Sequence, residues 1–200
     1  MGFVSVVATK DYLNVLSDGL HTQDQKDGEI TILSEDTPHF IKISPDQFFA
    51  FTGDKGLFDQ IKKELVYQDH GYDLIDLVHT YHTKISKIPY EKAPIFITIG
   101  GLDDKRDMQV FAFSNENNTD KSWLHYTPKE NDLCCTFMES SQNIDQKSHQ
   151  KITEKFKIYL GKYGTNTANK ASRAQHDLNA YVASIDSTVN KKTFQLTIKK

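Results

Sequence analysis

The sequence predicts an α+β layered domain, a four-layer αββα sandwich in which two antiparallel sheets pack face to face under a helix pair on each outer face. Three observations lead there. The first 53 residues carry short runs of β-branched and aromatic residues separated by polar turns. The apolar period then changes to 3.6 over two successive segments. Strands and two more helical segments follow in the same order, and one last strand closes the chain. The spacing alone also allows a two-layer α+β arrangement.

Residues 3–9 and 12–17 are apolar runs around the turn Lys10-Asp11, which reads as a hairpin. A polar stretch from Gly19 to Gly28 reads as loop, and residues 29–33, 39–44 and 47–52 read as three more strands. Asp54 stands as the N-cap of a helix carrying Leu57, Phe58, Ile61, Leu65 and Val66. A second helix after Gly71 presents Leu74, Leu77, Val78, Tyr81, Ile85 and Ile88 as one stripe and ends at Pro89. Strands are expected at 95–99, 109–114, 122–126 and 133–138, with Gly100-Gly101 as a strand-end turn. Helices at 148–162 and 168–185 and a strand at 193–199 complete the order. With no internal repeat and no linker-like composition, residues 1–200 read as a single domain.

Two hundred residues are enough to bury about 70% of the unfolded surface, so a full core needs no staples. With 38% apolar and 26% charged residues, collagen-like, disordered and membrane classes are excluded. No apolar run reaches membrane-spanning length and no signal peptide is evident, so the expected location is the cytoplasm. Met1-Gly2 begins like a myristoylation signal, but Val6 stands where that motif needs Ser or Thr.

Chemical motifs are few. Cys134 and Cys135 are adjacent, a poor geometry for a mutual disulfide, and read as small core residues of a strand. His79 and His82 lie one helical turn apart near Asp76, but His70 falls outside the helix and no H-E-x-x-H pattern occurs, so an exposed polar face is expected rather than a metal site. Asn117-Asn118-Thr119 has the form of a glycosylation sequon, without meaning in an unsecreted chain. There is no phosphate loop and no nucleophile elbow, and no cofactor is implied. The net charge of −3 hides an acidic first quarter and a basic segment, 147–173, in which seven Lys or Arg stand against Glu154 alone. Ile152, Phe156, Tyr159, Leu160 and Tyr163 recur there at helical spacing, so it reads as an amphipathic helix with a solvated basic face and not as a nucleic-acid surface.

Residues 3–8, Phe-Val-Ser-Val-Val-Ala, followed by 12–19, Tyr-Leu-Asn-Val-Leu-Ser-Asp-Gly, resemble the opening hairpin of proteasome-type subunits, with an Asp just past the second strand. The strand at His39-Phe40-Ile41-Lys42-Ile43 and the small-residue run Phe49-Ala50-Phe51-Thr52-Gly53 resemble the next two hallmarks of that family, and the later element order follows it to the end. The resemblance implies the N-terminal-nucleophile-hydrolase fold. It also implies a mechanism: an N-terminal Thr whose own amine serves as base, assisted by an Asp and a Lys.

Aligned on Asp18, the nucleophile position falls at Gly2, exposed if Met1 is removed, and the Lys position falls at His39; Lys42 lies too far inside the strand. Gly2 offers an amine but neither hydroxyl nor thiol. The resemblance therefore points to a non-catalytic member with a structural or interaction role, self-associating as a dimer or ring. The alternative is a hydrolase of peptide or amide bonds using Gly2, Asp18 and His39, with Gly53 and the nearby backbone as an oxyanion site, or using Cys135 with a His brought near it.

Overall fold

The computed structural model describes residues 2–24, 30–116, 123–140 and 144–200. Met1, the sequon at 117–119 and Ser122 lie outside the described residues. The chain runs β1 (Phe3–Ala8), β2 (Tyr12–Asp18), β3 (His21–Asp24), β4 (Ile30–Ser34), β5 (Phe40–Ser44), β6 (Gln47–Thr52), α1 (Lys55–Glu64) and α2 (Leu74–Ile85). It continues with β7 (Phe96–Leu102), β8 (Met108–Ser114), β9 (Trp123–Tyr126), β10 (Cys134–Glu139), α3 (Gln146–Tyr163), α4 (Ala168–Ile185) and β11 (Thr193–Lys199). Among the described residues, one sheet has the order β10-β1-β2-β11, a second β5-β6-β7-β8-β9, and β3-β4 form a separate ribbon. Every pairing is antiparallel.

The period-2 alternation of the central strands assigns their side chains to different layers. Phe3 and Val7 of β1 face the helices and pack with Ile152, Phe156 and Leu160 of α3 and with Ala171, Ala174 and Leu178 of α4. Val4, Val6 and Ala8 face the opposite sheet and meet Phe48, Ala50 and Val110. In β6 the same rule sends Phe49 and Phe51 toward Phe58 and Ile61 of α1 and Val78 and Tyr81 of α2. Three apolar layers thus separate four structural ones, the αββα sandwich that the element order predicts. Each strand of the two sheet centres is buried on both faces, which explains why β1, β2 and β6 read as nearly unbroken apolar runs.

Several expectations need correction. The polar stretch after Asp18 contains β3, whose His-Thr-Gln-Asp sequence lacks the usual strand composition; it is held by pairing with β4. Gly100 and Gly101 lie inside β7, paired with Val110 and Gln109, rather than in a turn. Gly101 has φ +138°, and a Cβ there would stand 2.0 Å from the Asp46 carbonyl oxygen, so the β5–β6 turn crosses β7 only where a side chain is missing. The second helix stops at its Ser86 cap, before Pro89, leaving Ile88 packed on the core from a turn. Asp54 caps α1 as expected, accepting from the Leu57 N–H at 2.8 Å.

Candidate functional site

The site forms where β2 ends. Asp18 is its centre, fully buried, and the chain surrounds its carboxylate with donors. Oδ1 accepts the N–H of Phe3 at 2.8 Å, and Oδ2 accepts the N–H of Leu20 at 3.0 Å and that of Asn190 at 3.1 Å. The first bond ties Asp18 to the start of β1. The third reaches the loop before β11, where Asn190 Oδ1 also accepts the Gly19 N–H at 3.2 Å. A buried carboxylate survives in a core when its lone pairs are engaged in this way.

His39 completes the shell. It precedes β5 and is anchored by its backbone: its N–H donates to Ser17 Oγ at 3.1 Å, and its carbonyl accepts the Phe51 N–H at 2.8 Å. Its Nε2 lies 3.3 Å from Asp18 Oδ1 and 3.1 Å from the Leu20 carbonyl oxygen. Both neighbours can only accept, so Nε2 carries the hydrogen and donates. That nitrogen is therefore spent as a donor and offers no lone pair as a base.

Gly2 is buried directly beside this ring. A Cβ built on Gly2 would lie 2.1 Å from His39 Nε2 and 2.2 Å from Cε1. The imidazole thus fills the volume into which any side chain at position 2 would have to extend. The geometry brings Gly2, Asp18 and His39 together, and a side chain at position 2 would have to displace the His39 ring.

A second imidazole, not singled out from the sequence, joins the cluster. The ring of His21 stands 4.0 Å from that of His39, centroid to centroid, and stacks at 6.3 Å on Phe58 of α1. Burial, and then the charge His39 can carry, push the His21 imidazole down to about 3. It is neutral at pH 7, and its Nε2 has no hydrogen-bond partner among the described residues. No local sequence pattern links it to His39. The signal for Asn190, 172 residues from Asp18, did not exist in the local sequence.

The remaining candidates lie elsewhere or in other roles. Gly53 follows β6, with φ +138° and the Pro94 carbonyl oxygen 3.0 Å from where its Cβ would be; it is two residues past Phe51, the donor to the His39 carbonyl. Cys135 is paired with Val7, toward the far end of β1 from Gly2, and is exposed rather than a core residue. Cys134 is partly buried against the inter-sheet core, and burial pushes its thiol up to about 11. His82 is buried edge-on to Phe113 and Trp123 instead of lying on an exposed face, while His79 meets Trp123 from outside. Among the described residues no group of three His, Cys, Asp or Glu has metal-binding geometry. The lysines of α3 cover an exposed face over buried Ile152, Phe156 and Leu160. No helix among the described residues is long and apolar enough to cross a membrane.

No protein-family model and no curated protein sequence matches the chain. Among solved structures, eukaryotic HslV from Trypanosoma brucei is similar over 99% of both chains, with a TM-score of 0.60 at 9% sequence identity. The fold is the N-terminal-nucleophile-hydrolase fold. At 9% identity the likeness concerns architecture alone.

Proposed function

We propose that this chain is a proteasome-subunit-like protein without the N-terminal nucleophile, acting in the cytoplasm as a structural or interaction component that associates with copies of itself. The observation that carries the reading is the contact between Gly2 and His39. The reaction route of this fold needs an oxygen or sulfur nucleophile beside a free amine. Gly2 supplies neither atom, and the His39 ring occupies the volume that a Ser, Thr or Cys side chain would need. An amine acting alone on an amide bond would form another amide and stop. Asp18 is saturated by three backbone donors and one imidazole, so its role in this reading is to hold the start of β1, β2 and the loop before β11 together.

The test is a panel of fluorogenic peptides combined with a covalent threonine-directed probe and light scattering. No turnover, no labelling and a mass above that of one 22.9 kDa chain are expected. Turnover lost in Asp18→Ala or His39→Ala, or after blocking the amine, would overturn the non-catalytic reading. Turnover that survives those changes and disappears in Cys135→Ala would move the activity to another site. A mass near that of one chain across a wide concentration range would overturn self-association.

A further inference from the structure

The two sheets of the sandwich are unequal. Four strands face five, and β10, the last strand of the smaller sheet, lies across β6 and β7. The larger sheet continues past it. On its inner face Ala112 is only partly covered, Leu124 is 74% exposed and Tyr126 is 38% exposed, although the residues of the opposite face, Phe111 and Phe113, are buried under the helices. Two adjoining cavities of about 430 and 350 Å³ run along this overhang and share Ala112, Leu124 and Thr136.

Their lining defines the shape. Consecutive residues of β10, from Cys134 to Met138, border the space, as do consecutive residues of β9, from Trp123 to Tyr126. Side chains of a strand alternate between faces. A space touched by successive residues of a strand therefore lies along its edge. β10 pairs only with β1 and β9 only with β8 among the described residues, so along Cys134–Met138 and along β9 the bordering edge has no neighbouring strand among them. Alternate N–H and C=O groups of β10 point into the space. The floor is apolar, made by Val110, Ala112 and Leu124, and the Cys134 thiol beside it stays neutral.

We propose that this slot is a binding site for one extended segment of a partner chain, which adds to β10 as a fifth strand and seats alternate apolar side chains on the inner face of β8 and β9. The occupant follows from the dimensions. The slot runs five residues of β10, Cys134–Met138, about 17 Å at 3.3 Å per residue, and is one strand wide. That surface is far below the ~800 Å² per partner of a standard stable interface, so it does not hold two copies of this chain by itself. Backbone pairing on an edge with pockets for every second side chain is instead the geometry of strand addition. The inference is independent of the proposed self-association, since it rests on the unequal sheets alone.

The probe is the peptide acetyl-Lys-Val-Thr-Val-Thr-Val-Lys-amide, compared with a version whose central Val is replaced by Pro. Binding to the full chain is read by Trp123 fluorescence, and amide hydrogen exchange locates it. The alternating peptide is expected to bind, about tenfold or more tightly than the Pro version, which lacks a ladder donor. Alternate amides of β10 should gain protection. Leu124→Lys, at an exposed position that leaves the fold intact, and Ala112→Phe, which fills the floor, should each weaken binding about fivefold or more. Saturation absent at about 1 mM peptide, equal binding of both peptides, or protection gained elsewhere than β10 would each overturn the proposal. Decanoate binding in the slot and displacing the peptide without any β10 protection would assign the site to apolar small molecules instead.

Discussion

Lowering the pH from 7.5 to 4.5 protonates His21 in the unfolded chain but not in the fold. The unfolded imidazole titrates near 6.5, whereas burial, with His39 at 4.0 Å, holds it at about 3 in the native state. The unfolded state then binds more protons over that interval, and stability must fall as the pH falls. The contribution is fully present above pH 6.5 and is lost progressively until the folded group itself titrates. At 1.36 kcal/mol per pH unit the loss is about 2–3 kcal/mol at pH 4.5 and levels near 5 kcal/mol below pH 3. His21→Phe keeps a ring against Phe58 and His39 while removing the titration. Urea unfolding followed by Trp123 fluorescence at both pH values gives the comparison. The wild-type loss between pH 7.5 and 4.5 should exceed that of His21→Phe by about 2–3 kcal/mol. Equal losses in the two proteins would show that His21 is not held neutral by its surroundings, and the described packing of the cluster would be wrong.

Other substitutions probe the frame around the site. Asp18→Ala leaves three backbone N–H groups, two of them buried, and the His39 Nε2–H without their acceptor, and should cost about 3 kcal/mol or more in chemical denaturation, or prevent folding. Gly101→Ala places a Cβ 2.0 Å from the Asp46 carbonyl oxygen at φ +138° and should cost more than about 2 kcal/mol. Gly161→Ala, within α3 and with nothing within 4 Å of its Cβ, should instead raise stability by about 0.5–1 kcal/mol. Opposite signs for the two glycines in one thermal-shift series check the backbone of both layers.

The element order was legible because the sandwich buries its central strands on both faces, which leaves long apolar runs, and because Asp54 caps a helix where side-chain chemistry expects its start. β3 was not legible: its four residues are polar, and its pairing with β4 supplies what composition does not. Gly100-Gly101 misled because a glycine pair reads as a turn, whereas the reason for Gly101 lies in the distant Asp46 carbonyl. The site divides in the same way. Gly2, Asp18 and His39 are singled out by the resemblance of the opening strands to proteasome-type subunits. The tertiary contacts that give them meaning, Asn190 on the Asp18 carboxylate and the His21 ring on His39, join segments whose separation in sequence carries no local pattern. Cys135 was misplaced because an edge strand leaves exposed what a central strand would bury.

The central claim is that the His39 ring and a side chain at position 2 compete for one volume, and a double-mutant cycle on urea unfolding measures that competition directly. Gly2→Ala is expected to cost about 2 kcal/mol in the wild-type background, where the new Cβ falls 2.1 Å from Nε2, and less than about 0.5 kcal/mol in the His39→Ala background, where the volume is free. The same cost in both backgrounds, or none in either, would mean that His39 does not occupy the volume of a side chain at position 2.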